Sequence, residues 1–441
     1  MPIQAAIFDC DGTLLDSMPM WTDSCVGLLR RYGVTDAKRV FYEHESLDMF
    51  AKCQWYHQNL GIGQSSEALY QELWATVEAA YGSVVRPYAG CERFLRELRR
   101  ADVPCVIVSS TPPELVRAAL RMHALDTYFN DVIFAGDVGR GKEYPDCYLH
   151  AAKLLGTARE HTWVFEDAPF GVRSAVRAGF PTVAILNDHD GRDPEFLERW
   201  ATLVARSYDE LSMDKLKGLH AHVLTALVVA GSPEPSSPAL VARLARECDY
   251  VVAADKGAEV LRAAGVVPDA FCGDEDSVDK ETRAWAHRTA NRTDRHPTEK
   301  DDTDLGLAIA LARTRAEETG CALRLNVTCA AGGRPDHALG VWGVLARNAD
   351  AAPLMVEDGF EARVLSTVGV DSWRLECAAG KTVSVLALSD PAYVTERGMR
   401  WELENERLRL LDDRGVSNYV TADDALVRCN DGVIVVFAMD E

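Results

Sequence analysis

The sequence predicts an α/β fold. A parallel sheet with an inserted helical segment comes first, then a second α/β domain, then a C-terminal β-sandwich. Three observations predict this. Short apolar runs alternate with helix-length segments through the first half, as expected of parallel strands joined by helical crossovers. The same pattern restarts near residue 222. From about residue 352 it gives way to short alternating runs separated by glycine turns, the texture of a sandwich. The chain has 441 residues, too many for one ordinary core, so the expected domains are 1–215, 222–350 and 351–441.

Ala5–Phe8 is a short buried-type strand. Residues 15–85 are helical in pattern and interrupt the first domain, whose core is then 1–14 and 86–215. A Pro/Gly hinge at Arg86–Gly90 precedes a helix over 91–100 and a strand at Pro104–Val108. Further strands are expected at Asp131–Phe134, Thr162–Phe165 and Thr182–Ile185, and a mixed-charge helical stretch near Ser207–His222. Leu224–Val229 opens the second sheet, followed by a breaker-rich loop at 231–238. The sandwich strands read most clearly at Arg363–Ser366, Ser372–Glu376, Thr382–Leu388 and Val433–Phe437.

Composition narrows the function. Net charge is −21, which argues against a general nucleic-acid or anionic-membrane surface. The 12 cysteines show no CxxC or Cys/His metal spacing and read as small buried residues of a reducing cytoplasm. Cys10 lies between two aspartates, which disfavour a thiolate, so it is not expected to be a nucleophile. The N-terminus has no basic region followed by a long apolar stretch and no window approaches 18 apolar residues, so neither a signal peptide nor a membrane span is expected.

Two carboxylate-rich constellations carry chemistry. In the first, Asp9 and Asp11 follow a strand two residues apart, Ser109 ends the next strand, Lys142 sits in a Gly-Lys-Glu-Tyr-Pro-Asp loop, and Glu166-Asp167 follow a fourth element. One carboxylate can attack phosphorus while a second moves protons. A hydroxyl and an ammonium can hold phosphoryl oxygens, and an acidic pair can hold Mg²⁺. Over residues 1–215 these motifs resemble the haloacid dehalogenase (HAD) superfamily of phosphohydrolases, in a branch similar to β-phosphoglucomutase with a Rossmann-like core. The resemblance implies that Asp9 is the nucleophile and Asp11 the general acid/base. It implies that Ser109 and Lys142 bind phosphate, and that Glu166 and Asp167 hold Mg²⁺ beside Asp9 and the backbone of Asp11. It also implies that residues 15–85 are a cap that closes over substrate. Glu143-Tyr144 departs from the usual pattern. Trp21, Trp55 and Tyr56 read as packing between cap helices more readily than as a stacking surface for a heterocycle.

The second constellation starts at Asp255, just after the strand Tyr250–Val252. It continues through Gly273-Asp274-Glu275-Asp276-Ser277 and Lys300-Asp301-Asp302-Thr303-Asp304, the latter leading into a helix whose first turn favours anions. Gly332-Gly333-Arg334-Pro335-Asp336-His337 adds a glycine turn and a guanidinium. No Walker-type motif is present. This order resembles thiamine pyrophosphokinase (thiamine diphosphokinase) over residues 222–441, ending in Gly415-Val416-Ser417-Asn418. The resemblance implies transfer of the diphosphoryl unit of ATP to thiamine, with AMP released. It implies that Asp255, Asp274, Asp276, Asp301 and Asp304 organise Mg²⁺ and ATP, and that Lys300 and Arg334 contact phosphate. Gly273, Ser277, Thr303, Gly333 and Asp336 would shape the ATP site. It further implies a homodimer, with Ser417, Asn418 and Trp401 at thiamine. Trp401 also reads as a sandwich core residue, and His337 as structural rather than a base. Lys256, Glu275 and Ala330 depart from the common pattern.

Together the halves suggest a bifunctional, cytoplasmic enzyme. Its phosphatase would release thiamine from thiamine monophosphate, and its kinase would pyrophosphorylate the product. The alternatives are a phosphatase or phosphomutase for an unrelated ester (a sugar phosphate, phosphoglycolate or a nucleotide), or a non-catalytic regulatory module.

Overall fold

The structure, a computed structural model, describes residues 3–81, 83–187, 192–274, 276–297, 302–376 and 378–440. The chain divides into two compact units, Met1–His222 and Val223–Glu441. Among the described residues no helix is long and apolar enough to cross a membrane.

The first unit holds a six-stranded parallel sheet: β1 (Ala5–Phe8), β2 (Cys105–Ser109), β3 (Asp131–Phe134), β4 (Thr162–Glu166), β5 (Thr182–Ile185) and β6 (Leu203–Ala205), in the order β3-β2-β1-β4-β5-β6. β1, β2 and β4 are buried along their whole length, as a parallel sheet covered on both faces requires. Phe8 and Phe165 stack at 4.3 Å between neighbouring strands. Because β2, β1 and β4 are adjacent, their carboxyl ends deliver Ser109, Asp9 and Glu166 to one rim. The insert forms four helices, Met18–Arg31, Ala37–Glu43, Met49–Leu60 and Ser66–Tyr81. Trp21 and Tyr56 are buried in the core they share with the sheet.

Two expectations shift. β6, a three-residue edge strand, was not expected; it is too short to carry an alternating pattern. The helical stretch at Ser207–His222 is instead a 3₁₀ turn at Tyr208–Glu210 and a one-turn helix at Met213–Leu216. Ser207 and Ser212 each cap a separate turn, and Gly218 at φ 83° ends the second, so no helix propagates.

The second unit has a ten-stranded sheet. Its parallel part is β7 (Val223–Val229), β8 (Tyr250–Ala254), β9 (Ala270–Gly273), β10 (Arg292–Arg295), β11 (Ala322–Thr328) and β12 (Leu354–Glu357). It continues antiparallel through β13 (Phe360–Ser366), with β14 (Ser372–Glu376), β15 (Thr382–Ala387), β16 (Ala392–Arg397), β17 (Leu403–Leu408), β18 (Asn418–Tyr419), β19 (Asp424–Asp431) and β20 (Val433–Met439) completing the chain. The large sheet runs β10-β9-β8-β7-β11-β12-β13-β20-β15-β18, and β14-β19-β16-β17 form a separate antiparallel sheet. Val383, Val385 and Val436 of the first meet Leu375, Val394 and Val427 of the second in one core, which is the sandwich. One sandwich layer is therefore the continuation of the parallel sheet, through β12, which pairs parallel with β11 and antiparallel with β13.

Candidate functional site

At the rim of the first sheet, Asp9, Asp11, Ser109, Lys142, Glu166 and Asp167 line one cavity. Lys142 is buried, with its ammonium 2.5 Å from Asp9 and 2.5 Å from Glu166. Burial alone works against that ammonium, but the two carboxylates hold its pKa above the ordinary lysine range. Burial likewise pushes the Asp9 carboxyl up, and Lys142 opposes the rise. Glu166 also accepts from the Tyr148 hydroxyl at 3.0 Å and from the backbone N–H groups of Asp167 and Ala168 at 2.9 and 3.0 Å. Gly12 sits at φ 85°, and a Cβ there would overlap the Asp167 carboxylate, so the turn after β1 needs glycine.

Asp9, Glu166 and Asp167 each place a carboxylate oxygen within 4.8 Å of the others. Buried hard-oxygen donors this close suit Mg²⁺, so the residues fit the ion that the resemblance implies. Asp167 is meanwhile held by Thr13 at 3.0 Å, Asn187 at 3.0 Å and Arg192 at 2.6 Å. Arg192 also reaches Glu45 of the insert at 2.8 Å and so bridges insert and core. Asp11 accepts from Ser17 at 2.5 Å, from Thr111 at 2.7 Å and from Tyr81. Beside these groups the cavity is lined by Met18, Trp21, Phe41, Met49 and Phe170 and by the charged side chains of Glu45, Lys52 and Arg192. Trp21 thus both packs in the core and faces the cavity. Cys10 is buried, and burial with Asp11 and Asp9 raises its thiol, as expected of an inert cysteine.

Ser17, Tyr81, Thr111, Asn187 and Arg192 were not singled out from the sequence. Thr111 had a signal, lying two residues beyond Ser109 in the same loop. Tyr81 and Arg192 had none, being 70 and 25 residues from the carboxylates they touch.

In the second unit Asp255, Asp274 and Asp276 place ligand atoms within 4.8 Å of one another. They follow adjacent strands, β8 and β9. Gly273, at φ 144°, allows the close approach: a Cβ there would lie 3.0 Å from that of Asp255. Ser277 donates to one Asp255 oxygen, while the other is buried without a hydrogen-bond partner. Burial raises the Asp255 carboxyl; Asp304 and Asp274 add to the rise, and the Ser277 bond opposes it. A partnerless buried oxygen inside a carboxylate cluster fits a divalent cation. Asp304 opens the helix Asp304–Thr319, and Thr303 caps it by accepting from the Gly306 N–H at 3.2 Å. Lys300, Asp301 and Glu275 lie outside the described residues.

Gly332 and Gly333 have φ values of 83° and 73° and lead to Arg334, which pairs with Asp336 at 2.5 Å on the surface. That hydrogen bond lowers the Asp336 carboxyl to about 2. His337 is exposed beside them. Glu357, unremarked in the sequence, accepts from the N–H groups of Cys329, Ala330 and Ala331 at 3.1, 2.9 and 3.2 Å and from the Ser236 hydroxyl. It ties the glycine turn to the breaker loop.

Ser417, Asn418 and Trp401 come together at the β18 edge. Trp401 is 56% exposed rather than a core residue, and its ring lies 5.7 Å from that of Tyr419. Asn418 is buried with its amide committed. It donates to Glu396 at 2.8 Å and to the Trp401 carbonyl at 2.7 Å, and accepts from the N–H groups of Trp401 and Tyr419 at 3.2 and 2.9 Å. Ser417 has φ 61° and donates its N–H to Ser384 at 3.0 Å. In the sheet order six strands separate β18 from β8, which carries the cluster aspartate.

Comparison with known proteins divides the chain in the same way. Residues 3–179 match the haloacid dehalogenase-like hydrolase family, residues 241–356 the thiamin pyrophosphokinase catalytic domain, and residues 373–434 the thiamin pyrophosphokinase vitamin B1 binding domain. The chain is 30% identical over 190 residues to validoxylamine A 7'-phosphate phosphatase of Streptomyces hygroscopicus subsp. limoneus, covering 42% of this chain and 87% of that protein. It is 29% identical over 215 residues to hexitol phosphatase A of Escherichia coli, covering 49% and 96%. Among solved structures it is similar to thiamine pyrophosphokinase from Bacillus subtilis (21% identity, TM-score 0.42, covering 49% of this chain and 99% of that one). It is likewise similar to a putative beta-phosphoglucomutase from Thermotoga maritima (23%, TM-score 0.40, covering 48% and 98%). The chain belongs to the haloacid dehalogenase-like hydrolases through its first half and carries the catalytic and vitamin B1 binding domains of thiamin pyrophosphokinase in its second.

Proposed function

We propose that this chain is a bifunctional enzyme of thiamine metabolism, a phosphatase for thiamine monophosphate joined to a kinase that makes thiamine diphosphate. In the first half Asp9 attacks phosphorus, and the ester P–O bond breaks as Asp11 gives its proton to the leaving oxygen. Water then attacks the aspartyl-phosphate, Asp11 takes its proton, and inorganic phosphate leaves with the Asp9 carboxylate restored. Ser109 and Lys142 hold the phosphoryl oxygens, and Glu166 anchors Lys142. Asp9 and Asp167, with Glu166 beside them, would hold Mg²⁺, which would supply charge neutralisation at the phosphoryl group.

The observation that carries the substrate is the cavity wall. Met18, Trp21, Phe41, Met49 and Phe170 line the cavity that holds Asp9, an apolar and aromatic patch that suits a heteroaromatic group, while Glu45, Lys52 and Arg192 give the same cavity polar positions. A second reading, a sugar-phosphate-like ester, is favoured by the relatives named for validoxylamine A 7'-phosphate and hexitol phosphate cleavage.

In the second half Asp255, Asp274, Asp276 and Asp304, with Asp301, hold Mg²⁺ and ATP. Lys300 and Arg334 contact phosphate, with Asp336 orienting the arginine. Gly273, Ser277, Thr303 and Gly333 shape the loops around them. The β,γ-diphosphoryl unit passes to the thiamine hydroxyl and AMP leaves, a transfer that depends on alignment and charge neutralisation. Ser417 and Trp401 face thiamine, and Asn418 holds the Trp401 turn. The six strands between β18 and β8 support a homodimer in which the β18 edge of one copy meets the aspartates of the other.

Phosphate release from a panel tests the substrate: thiamine monophosphate, thiamine diphosphate, sorbitol 6-phosphate, glucose 6-phosphate, phosphoglycolate and AMP. Thiamine monophosphate should give the highest kcat/KM. If a hexitol phosphate exceeds it, the sugar-phosphate reading replaces this one.

A further inference from the structure

Five parallel strands of the second unit end side by side in the order β9-β8-β7-β11-β12. Asp274 and Asp276 follow β9, and Asp255 follows β8. The breaker loop 231–238 follows β7, the turn through Gly332, Gly333 and Arg334 follows β11, and Glu357 is the last residue of β12. The carboxylate cluster and the arginine turn therefore stand on opposite sides of the β7 loop. β8 and β11 are two strand spacings apart, roughly 10 Å. A phosphate chain that reaches both must cross the β7 loop.

That loop is held on each flank. Towards β8, a Cβ on Gly231 would lie 2.7 Å from that of Lys256. Towards β11, a Cβ on Gly333 would lie 2.8 Å from Pro233, and one on Gly332 would lie 3.1 Å from the Glu234 carboxylate. The Ser232 N–H donates to the Cys329 carbonyl at 2.9 Å, and its hydroxyl donates to the Ala331 carbonyl. Glu357 joins the same two segments from β12. It is buried, and each of its oxygens accepts twice. Oε1 takes the N–H groups of Ala330 and Ala331, and Oε2 takes the Cys329 N–H and the Ser236 hydroxyl. Its neighbour Asp358 accepts from the Ser237 N–H at 2.6 Å and from the Ser237 hydroxyl at 2.8 Å.

We propose that Glu357 is a positioning residue for diphosphate transfer, fixing the turn after β11 against the loop after β7 so that Arg334 meets the phosphate chain held at the carboxylate cluster. The proposal rests on the kinase reading above. Glu357 has all four acceptor positions filled and touches no substrate. Three of its donors are successive backbone N–H groups, so the segment leading into Gly332 moves as one piece with β12. An arginine contact depends on where its backbone starts, and a shift of that segment would weaken the grip on ATP without touching thiamine.

The test separates this role from general support of the fold. Glu357→Gln keeps the shape, but whichever way the amide turns, its NH₂ group faces at least one backbone N–H. The full chain with Mg²⁺ is assayed for AMP formation, with ATP and thiamine varied in turn. The KM for ATP should rise about fivefold or more, and the KM for thiamine should stay within about twofold of wild type. In an Arg334→Ala background, Glu357→Gln should raise the KM for ATP by no more than about twofold further, because both changes act on one contact. An unchanged KM for ATP, an equal rise in both KM values, or full multiplication with Arg334→Ala overturns the proposal and leaves the kinase reading in place. Ser236→Ala removes one donor from Glu357 and serves if Glu357→Gln fails to fold. It should show the same preference for ATP, and an unchanged KM there overturns the proposal. A wild-type chain that forms no AMP from ATP and thiamine overturns both.

Discussion

Glu396 lies on β16 with no exposed surface; one carboxylate oxygen accepts from Asn418 and the other has no partner. Burial raises its carboxyl from the ordinary 4.5 to about 7, and the Asn418 bond offsets only part of that rise. The folded chain therefore keeps a proton that the unfolded chain has released between those values. Stability is full below the unfolded pKa, falls as pH rises toward about 7, and then levels off. The loss is on the order of 3 kcal/mol, as an upper figure. Glu396→Gln keeps an acceptor for Asn418 and carries no charge. Its melting temperature relative to wild type should rise between pH 5 and pH 7.5, and parallel curves would refute the assignment.

At the scale of elements, the first turn of the helix Asp304–Thr319 joins stability to the proposed ATP site. Thr303 satisfies the Gly306 N–H there and immediately precedes Asp304, the first residue of the helix. Thr303→Ala should cost about 1 kcal/mol in denaturant unfolding and raise the KM for ATP, whereas Thr303→Ser should recover most of both. An alanine variant with unchanged KM would separate the cap from the site. Buried strands such as β1, β2 and β4 were legible because uninterrupted apolar runs ending in polar residues are strong signals. β6 and the broken stretch after Ser207 were not, since three residues carry no period and two serine caps within six residues look like helix until their turns are seen.

At the scale of the whole molecule, the two carboxylate clusters belong to separate compact units with separate cores. Asp9→Asn should abolish phosphate release and leave AMP formation from ATP and thiamine within about twofold of wild type. Asp274→Ala should do the reverse, lowering AMP formation by roughly a hundredfold or more. Loss of both activities in either variant would mean the sites are not independent.

The sequence by itself determined the α/β class, the succession of units and the carboxylates that lie together in each cluster, Asp9, Glu166 and Asp167 in one and Asp255, Asp274 and Asp276 in the other. Strand-end motifs are local, and a parallel sheet brings strand ends to one rim. Only the tertiary structure decided that Tyr81 and Ser17 meet on one oxygen of Asp11, and that Arg192 spans Glu45 and Asp167. It alone joined a sandwich layer to the parallel sheet through β12 and left Trp401 exposed. Those contacts join residues far apart in the chain, and no local pattern encodes them, because a side chain's partner is set by how helices and sheets pack.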